Sequence, residues 1–381
     1  MNLNPFIITG KIIPQYFCDR VEETKNLIDL IKNRVNVALV SPRGMGKSGL
    51  IRYCFDKNEI GENHYAFFID ILPTSGFKEF VFILAKEIYD TLYPGAAAMA
   101  ECFLQLLRSI NGKFTYHPSG KADSFDFSIG EINHPEFTLK EIFSFLEKAD
   151  KRCLVAIDEF QQVARYPENN VEALIKAQIQ NCGNCNFILA GSRKRLLQEM
   201  ISFESGQSCH GSSVMELHPI PKNIYSDFVT RIFNTYNKTI ERRDIEKVYD
   251  LFEGNTFYLQ RIFNKAFDIT KERENCTYAM LDDVLDYVVN VNGSFYRELL
   301  SNIPEYQKEV LFAVATNKII SRPTSALFIK SNGLKSASSV QGALRKLIDL
   351  DLITKQNQDY FLSDKFLMLW ICRTYSDKIH L

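Results

Sequence analysis

Between Val37 and Tyr53 the chain reads VALVSPRGMGKSGLIRY, an apolar strand that runs through a glycine-containing loop straight into a segment with helical spacing. A strand, a glycine loop and a helix in immediate succession commit a chain to an α/β layer and form a phosphate-binding loop, G-x-x-x-x-G-K-[ST]. In that pattern the glycines let backbone N–H groups converge on a phosphate, and the helix N-terminus adds favourable partial charge. The lysine neutralises phosphate oxygens, and the hydroxyl ligates Mg2+. Pro42, Arg43, Gly44, Met45, Gly46, Lys47, Ser48 and Gly49 are therefore expected to wrap a nucleotide, with Lys47 on its phosphates and Ser48 on the metal. Ser41 stands where the pattern has its first glycine, which alters the expected exit from the strand but removes no phosphate ligand.

Further strands are expected at Val35 to Ser41, Tyr65 to Leu72, Cys153 to Ile157 and Phe187 to Ala190, alternating with helical segments that include Ala96 to Ile110. This alternation predicts a mainly parallel sheet with helices on both faces. Alternating aromatics around Pro118, Ser119 and Gly120 suggest an inserted β-hairpin, either a partner-contacting arm or a surface cover. After Pro221 consecutive amphipathic helices follow. A compositional break at Asn292 and Gly293 leads to three helices and two short strands flanking Gln356, Asn357 and Gln358, the pattern of a winged helix-turn-helix. With 381 residues and about 150 per domain, the expected division is 1–220, 221–292 and 293–381.

A second chemical element follows the third strand, in RCLVAIDEFQQVARY. Asp158 and Glu159 fall where open α/β sheets bind ligands, at the carboxyl end of a strand. Asp158 is expected to hold Mg2+ and Glu159 to orient the attacking water, since phosphoryl transfer needs positioning and charge neutralisation more than covalent participation. The alternative is that both acids simply open a helix. NFILAGSRKRLL supplies a polar strand tip, Ser192, as the residue near the terminal phosphate. Arg193, Lys194 and Arg195 fit either an arginine finger or a solvated helix start.

Composition removes other classes. A net charge of −1, with 24% charged and 46% hydrophobic residues, gives no global basic field and no disordered chain. No apolar run approaches the ~20 residues of a membrane span, and nine cysteines without an apolar leader predict reduced thiols in a cytoplasmic protein. Cys182 and Cys185, with Cys209 and His210, have irregular spacing for zinc, so free thiols are expected. From Ser301 onward eleven Lys or Arg face seven Asp or Glu, a mildly basic balance. The third helix there carries Lys335, Ser336, Ser338, Ser339, Gln341, Arg345 and Lys346, able to meet DNA, whereas Asp349 and Asp351 nearby weigh against it.

Together these residues resemble the prokaryotic ATPases of the AAA+ and STAND type often called archaeal ATPases. NPFIITGKIIPQYFCDRVEE resembles that family's N-terminal box, IDEFQQVARY its acidic motif, FEGNTFYLQRIF its lid segment without the usual proline, and YFLSDKFLMLWI the end of its winged helix. The resemblance implies that Ile13, Tyr16 and Phe17 pack on adenine, and it makes Arg261 the candidate lid arginine, a surface position being the alternative. It further implies an AAA+-like P-loop sheet with a helical lid and winged helix, using ATP and Mg2+ as a slow nucleotide-driven switch. The partner would be a protein or DNA, and homo-oligomers or a non-hydrolysing binding module remain as other forms of the same machinery.

Overall fold

The computed structural model describes residues 4–8, 10, 13–57, 60, 64–92, 132–202 and 211–375. The expected helix Ala96 to Ile110, the hairpin around Pro118, and Cys209 with His210 lie outside them. The chain divides into two compact units. One comprises Ile7–Tyr225 with Glu253–Phe257, and the other comprises Met1–Phe6, Ser226–Phe252 and Tyr258–Leu381.

The first unit is built on five parallel strands, β1 (Asn36–Val40), β2 (His64–Asp70), β3 (Arg152–Asp158), β4 (Cys185–Gly191) and β5 (Ser212–Glu216), in the order β2-β3-β4-β1-β5. β1 and β4 are buried along their whole length, as β3 is but for Arg152. A strand covered on both faces reads as a continuous apolar run, which is why these were legible. Their side chains alternate between two cores. Ala38, Val40, Val155, Ile157, Phe187 and Leu189 face a cluster with α3 (Phe77–Leu92), α4 (Pro135–Glu147), α5 (Val171–Asn181) and α6 (Lys194–Ile201). Val37, Leu39, Leu154, Ala156, Ile188 and Ala190 face the other, with α1 (Val21–Lys32) and α2 (Lys47–Phe55). The expected sheet with helices on both faces is present. β5 was not anticipated: among the described residues it pairs only with β1, at the sheet edge, and Ser212 and Ser213 give it no apolar run.

In the second unit, α7 (Lys222–Thr235, from Ser226 on), α8 (Arg242–Leu251), α9 (Thr256–Ile269, from Tyr258 on) and α10 (Tyr278–Val291) carry a short parallel pair, β6 (Thr239–Ile240) with β7 (Asn275–Cys276). Phe6 is fully buried here, with ring centroids 5.9 to 6.0 Å from those of Phe228, Phe233, Phe263 and Phe267. Asn264 Nδ2 donates to the Phe6 carbonyl (2.6 Å) and Asn4 Nδ2 to that of Asn264 (2.9 Å). The N-terminal Asn-Pro-Phe is thus a structural plug of the helical unit. Phe6→Ala is expected to lower stability by about 3–5 kcal/mol, the usual cost of truncating a buried Phe, read as an earlier chemical-denaturation midpoint.

The winged helix follows after a single residue. α11 (Gly293–Ser301), α12 (Glu305–Asn317), α13 (Ala326–Ser331) and α14 (Ala337–Asp349) precede the antiparallel β8 (Ile353–Gln356) and β9 (Asp359–Leu362), and α15 (Lys365–Thr374) closes it. Asn357 turns the wing in the left-handed region (φ 57°), which asparagine tolerates better than most residues. The glycine that reads as a break serves close packing, because a Cβ on Gly293 would sit 3.2 Å from Trp370 Nε1. Asp364 caps α15 through the Phe366 amide (2.8 Å) and accepts from the Tyr258 and Tyr296 hydroxyls (3.3 and 3.0 Å). It ties three helices of this unit together. No helix among the described residues is long and apolar enough to cross a membrane.

Candidate functional site

Parallel strands in this order bring the carboxyl ends of β1, β3 and β4 side by side, since Val40 registers with Gly191 and Ile157 with Leu189. The loop after β1, the acids after β3 and Ser192 after β4 are therefore neighbours. Gly44 and Gly46 adopt φ of 80° and 90°, the left-handed backbone that only glycine takes without strain, and Gly46 caps the N-terminus of α2. Ser41 is absent from the left-handed positions, so its side chain costs the turn nothing. It contributes instead: buried Lys47 donates from Nζ to the Ser41 carbonyl (3.1 Å), the Ser41 hydroxyl (3.3 Å) and the Pro42 carbonyl (3.3 Å).

An anion-binding nest needs its carbonyls turned away from the ligand. Here three consecutive carbonyls are each claimed from elsewhere in the unit. Arg43 O accepts from Asn255 Nδ2 (2.8 Å), Gly44 O from Thr256 Oγ1 (2.7 Å) and Phe257 N (2.9 Å), and Met45 O from Arg20 Nη2 (3.3 Å). A Cβ on Gly44 would approach Asn255 Oδ1 to 2.5 Å and Phe257 Cβ to 2.8 Å, so this glycine serves close approach as well as conformation. Arg20, which with Phe17 and Glu23 gives the N-terminal box an F-x-x-R-x-x-E spacing, is buried and also paired with Glu23 at 2.6 Å. Neither it nor the Asn255–Phe257 turn was assigned a role from sequence. The FxxRxxE spacing was a usable signal for Arg20, whereas Asn255 and Thr256 stand where the lid motif carries other residues.

The acids sit as expected in sequence and are joined to the loop. Ser48 Oγ hydrogen-bonds Asp158 Oδ2 across 110 residues, and Asp158 Oδ1 accepts from the Glu159 amide at 2.9 Å. One hydroxyl and one carboxylate oxygen in contact form a hard donor set of the kind that suits Mg2+, which retains several waters. Glu159 is in the left-handed region (φ 55°), an uncommon conformation for a side chain of its size, and it leads into the 3-10 helix Phe160–Arg165. Its carboxylate accepts from Gln161 Nε2 and lies 3.8 Å from Arg43 Nε. Burial holds the Lys47 ammonium below the usual lysine range, with Glu159 and Asp158 opposing the shift and Arg43 adding to it.

Ser192 is exposed at the tip of β4, its amide donating to Gln161 Oε1 at 3.2 Å. Lys194 pairs with Glu216, and Arg195 with Glu199 at 2.8 Å, so two of the three cations have surface partners. Tyr16 ends a 3-10 turn, Pro14–Tyr16, and Phe17 stacks on Tyr53 at 4.0 Å. Arg261 lies on α9 in the other unit. The C-x-x-C sulfurs of buried Cys182 and Cys185 are 2.8 Å apart. Hydrogen bonds to Cys153 and Cys182, reinforced by burial, push the Cys185 thiol up, a setting for inert thiols. No group of three or more metal-ligating side chains occurs among the described residues.

Residues 17–262 match the family of the ATPase domain predominantly from Archaea, and residues 294–373 match the family described as "Probable winged helix domain". No curated protein matches. Among solved structures the chain resembles a Walker-type ATPase of Pyrococcus abyssi at 19% identity, covering 96% of this chain and 99% of that one with a TM-score of 0.58. It also resembles the Aeropyrum pernix ORC2 protein in ADPNP-ADP complexes, at 13% identity, 99% and 98% coverage and a TM-score of 0.55. The ORC1 protein of Aeropyrum pernix in complex with DNA follows at 10% identity, 99% and 98% coverage and a TM-score of 0.54. At these identities the likeness is one of fold, a parallel sheet with helices on both faces followed by helices and a winged helix.

Proposed function

Because the chain belongs to the family of ATPase domains found predominantly in Archaea, we propose that it binds Mg-ATP on the loop Pro42–Gly49 and hydrolyses it slowly, as a nucleotide-driven switch acting on a DNA or protein partner. The observation that carries this reading is the joining of Ser48 to Asp158 beside Lys47 and Glu159, one oxygen pair, one cation and one base at the ends of the two strands that flank β4. Mg2+, when bound, would be held by Ser48 and Asp158 and would neutralise charge on the phosphate oxygens. Lys47 gives up its contacts to Ser41 and Pro42 for phosphate oxygens. Glu159 accepts a hydrogen bond from the attacking water and orients it in line with the terminal phosphorus, and Ser192 contacts the terminal phosphate. Tyr16, Phe17 and Arg261 are assigned to the nucleotide on family resemblance.

The ligand-dependent element is the turn Asn255–Phe257. Its three hydrogen bonds to Arg43 and Gly44 attach it to the loop that surrounds the phosphates, so a change in loop conformation on hydrolysis strains or releases it. For the partner, one observation favours DNA. On α14 the residues Val340, Ala343, Leu344 and Leu347 are buried, which leaves Ser338, Gln341, Gly342 and Arg345 on one exposed face, with Lys335 and Lys346 beside it. A polar, basic helix face with a glycine open to close approach suits a phosphate backbone; the DNA-bound ORC1 protein shares this fold.

The test is Mg-dependent ATP hydrolysis measured with and without duplex DNA over a range of protein concentrations. Activity modified by DNA supports the switch on DNA. A rate per chain that rises steeply with protein concentration identifies an oligomeric machine. Arg345→Ala is expected to weaken DNA binding across sequences and to reduce the log-log salt slope by about one; an unchanged slope removes this helix from the DNA contact.

A further inference from the structure

The side chain of Glu159 is held by another side chain that no role has yet been given. We propose that Gln161 is a positioning residue for Glu159, locking its carboxylate to the tip of β4. This rests on the hydrolytic reading above and deepens it.

The side-chain amide of Gln161 is used at both ends. Its Nε2 donates to Glu159 Oε2, and its Oε1 accepts from the Ser192 amide at 3.2 Å. This polarity admits one orientation. Turning the amide over would set its oxygen against a carboxylate and its NH2 against an N–H, so two attractions would become two repulsions. The strand tip is shaped to receive it, because a Cβ on Gly191 would collide with Gln161 Oε1, and glycine at the end of β4 leaves the room the amide fills.

The helix that carries Gln161 is fixed by packing on either side. Phe160 and Val163 are buried in the sheet core, and Gln162 Nε2 donates to the Thr74 carbonyl at 2.8 Å. The other partner of Glu159, Arg43, is 59% exposed and 3.8 Å away, too loose to fix a carboxylate in one orientation. Gln161 is thus the rigid partner, and it joins the water-orienting group to the strand end carrying Ser192. Displacement of the Ser192 backbone by a terminal phosphate is passed to Glu159 through a single amide, so the base is aligned when the terminal phosphate is present.

The experiment measures kcat for Mg-ATP and the Kd for ATP of the full chain and its variants. Gln161→Met keeps the bulk and removes both hydrogen bonds. It is expected to lower kcat by roughly 10- to 100-fold, the usual effect of losing a supporting partner, with Kd for ATP within about twofold. Gly191→Ala, which displaces the amide without touching its chemistry, is expected to give the same split. In a Glu159→Gln background, Gln161→Met is expected to reduce the residual rate no further, because there is no carboxylate left to position. A Gln161→Met variant with wild-type kcat overturns the proposal, as does a loss of equal size in both backgrounds, which marks a role in folding. If the wild-type chain binds ATP but shows no hydrolysis that Glu159→Gln abolishes, the hydrolytic reading falls and takes this inference with it.

Discussion

Lys47→Ala is expected to lose nearly all affinity for Mg-ATP. Removing one partner of a charge-assisted contact with a polyanion costs about 2–5 kcal/mol, roughly thirtyfold to a few thousandfold in Kd. Titration calorimetry with ATP and Mg2+ measures it directly, and an affinity within threefold of wild type would remove the loop from nucleotide binding. The stability of the same variant provides an independent reading. Burial lowers the Lys47 pKa in the folded chain, so the protonated lysine opposes folding in full below that lowered value, and the opposition fades as pH rises from there to the ordinary lysine range. Alanine has no proton to bind. The stability of the variant is therefore expected to lack the gain with rising pH that Lys47 contributes.

Glu159→Gln is expected to separate binding from turnover. Amide and carboxylate have nearly the same shape, so the hydrogen bond between Ser48 and Asp158 persists and ATP affinity stays near wild type. The substitution removes the acceptor we propose to orient and polarise water, a contribution of about 10²–10⁴ in kcat. Single-turnover hydrolysis measured beside equilibrium binding checks both halves. Loss of affinity in parallel with loss of rate would show that Glu159 supports the loop instead of the chemistry. Arg43, 3.8 Å from Glu159, is the residue through which such a parallel loss would act.

The parts of this protein that sequence made legible are those where one local pattern determines the outcome. β1, β3 and β4 are buried apolar runs, and the loop between β1 and α2 keeps the spacing of glycine, lysine and hydroxyl that phosphate geometry demands. The acids at the end of β3 follow from the same logic. What escaped depends on partners distant in the chain. β5 is an edge strand stabilised by β1 and not by its own apolarity. Phe6 is an isolated ring whose four aromatic neighbours lie more than 200 positions away. Gln161 stood in plain view in the acidic motif, yet its partner, the Ser192 backbone, belongs to another strand and carries no signature in residue type. Gly293 carries a further role that residue type does not announce: it makes room for the Trp370 indole.

The donors that seat the carbonyls of Arg43 and Gly44 arise 212 residues after them. During synthesis the cradle remains unfinished until Asn255 and Thr256 have left the ribosome, long after every strand of the sheet has emerged. Truncation ahead of residue 253 would preserve all five strands, Lys47 and both acids, and would still leave those carbonyls without the side chains that hold them. Recombinant fragments of this protein should therefore be cut by the hydrogen bonds of its cradle, not by the last strand of its sheet.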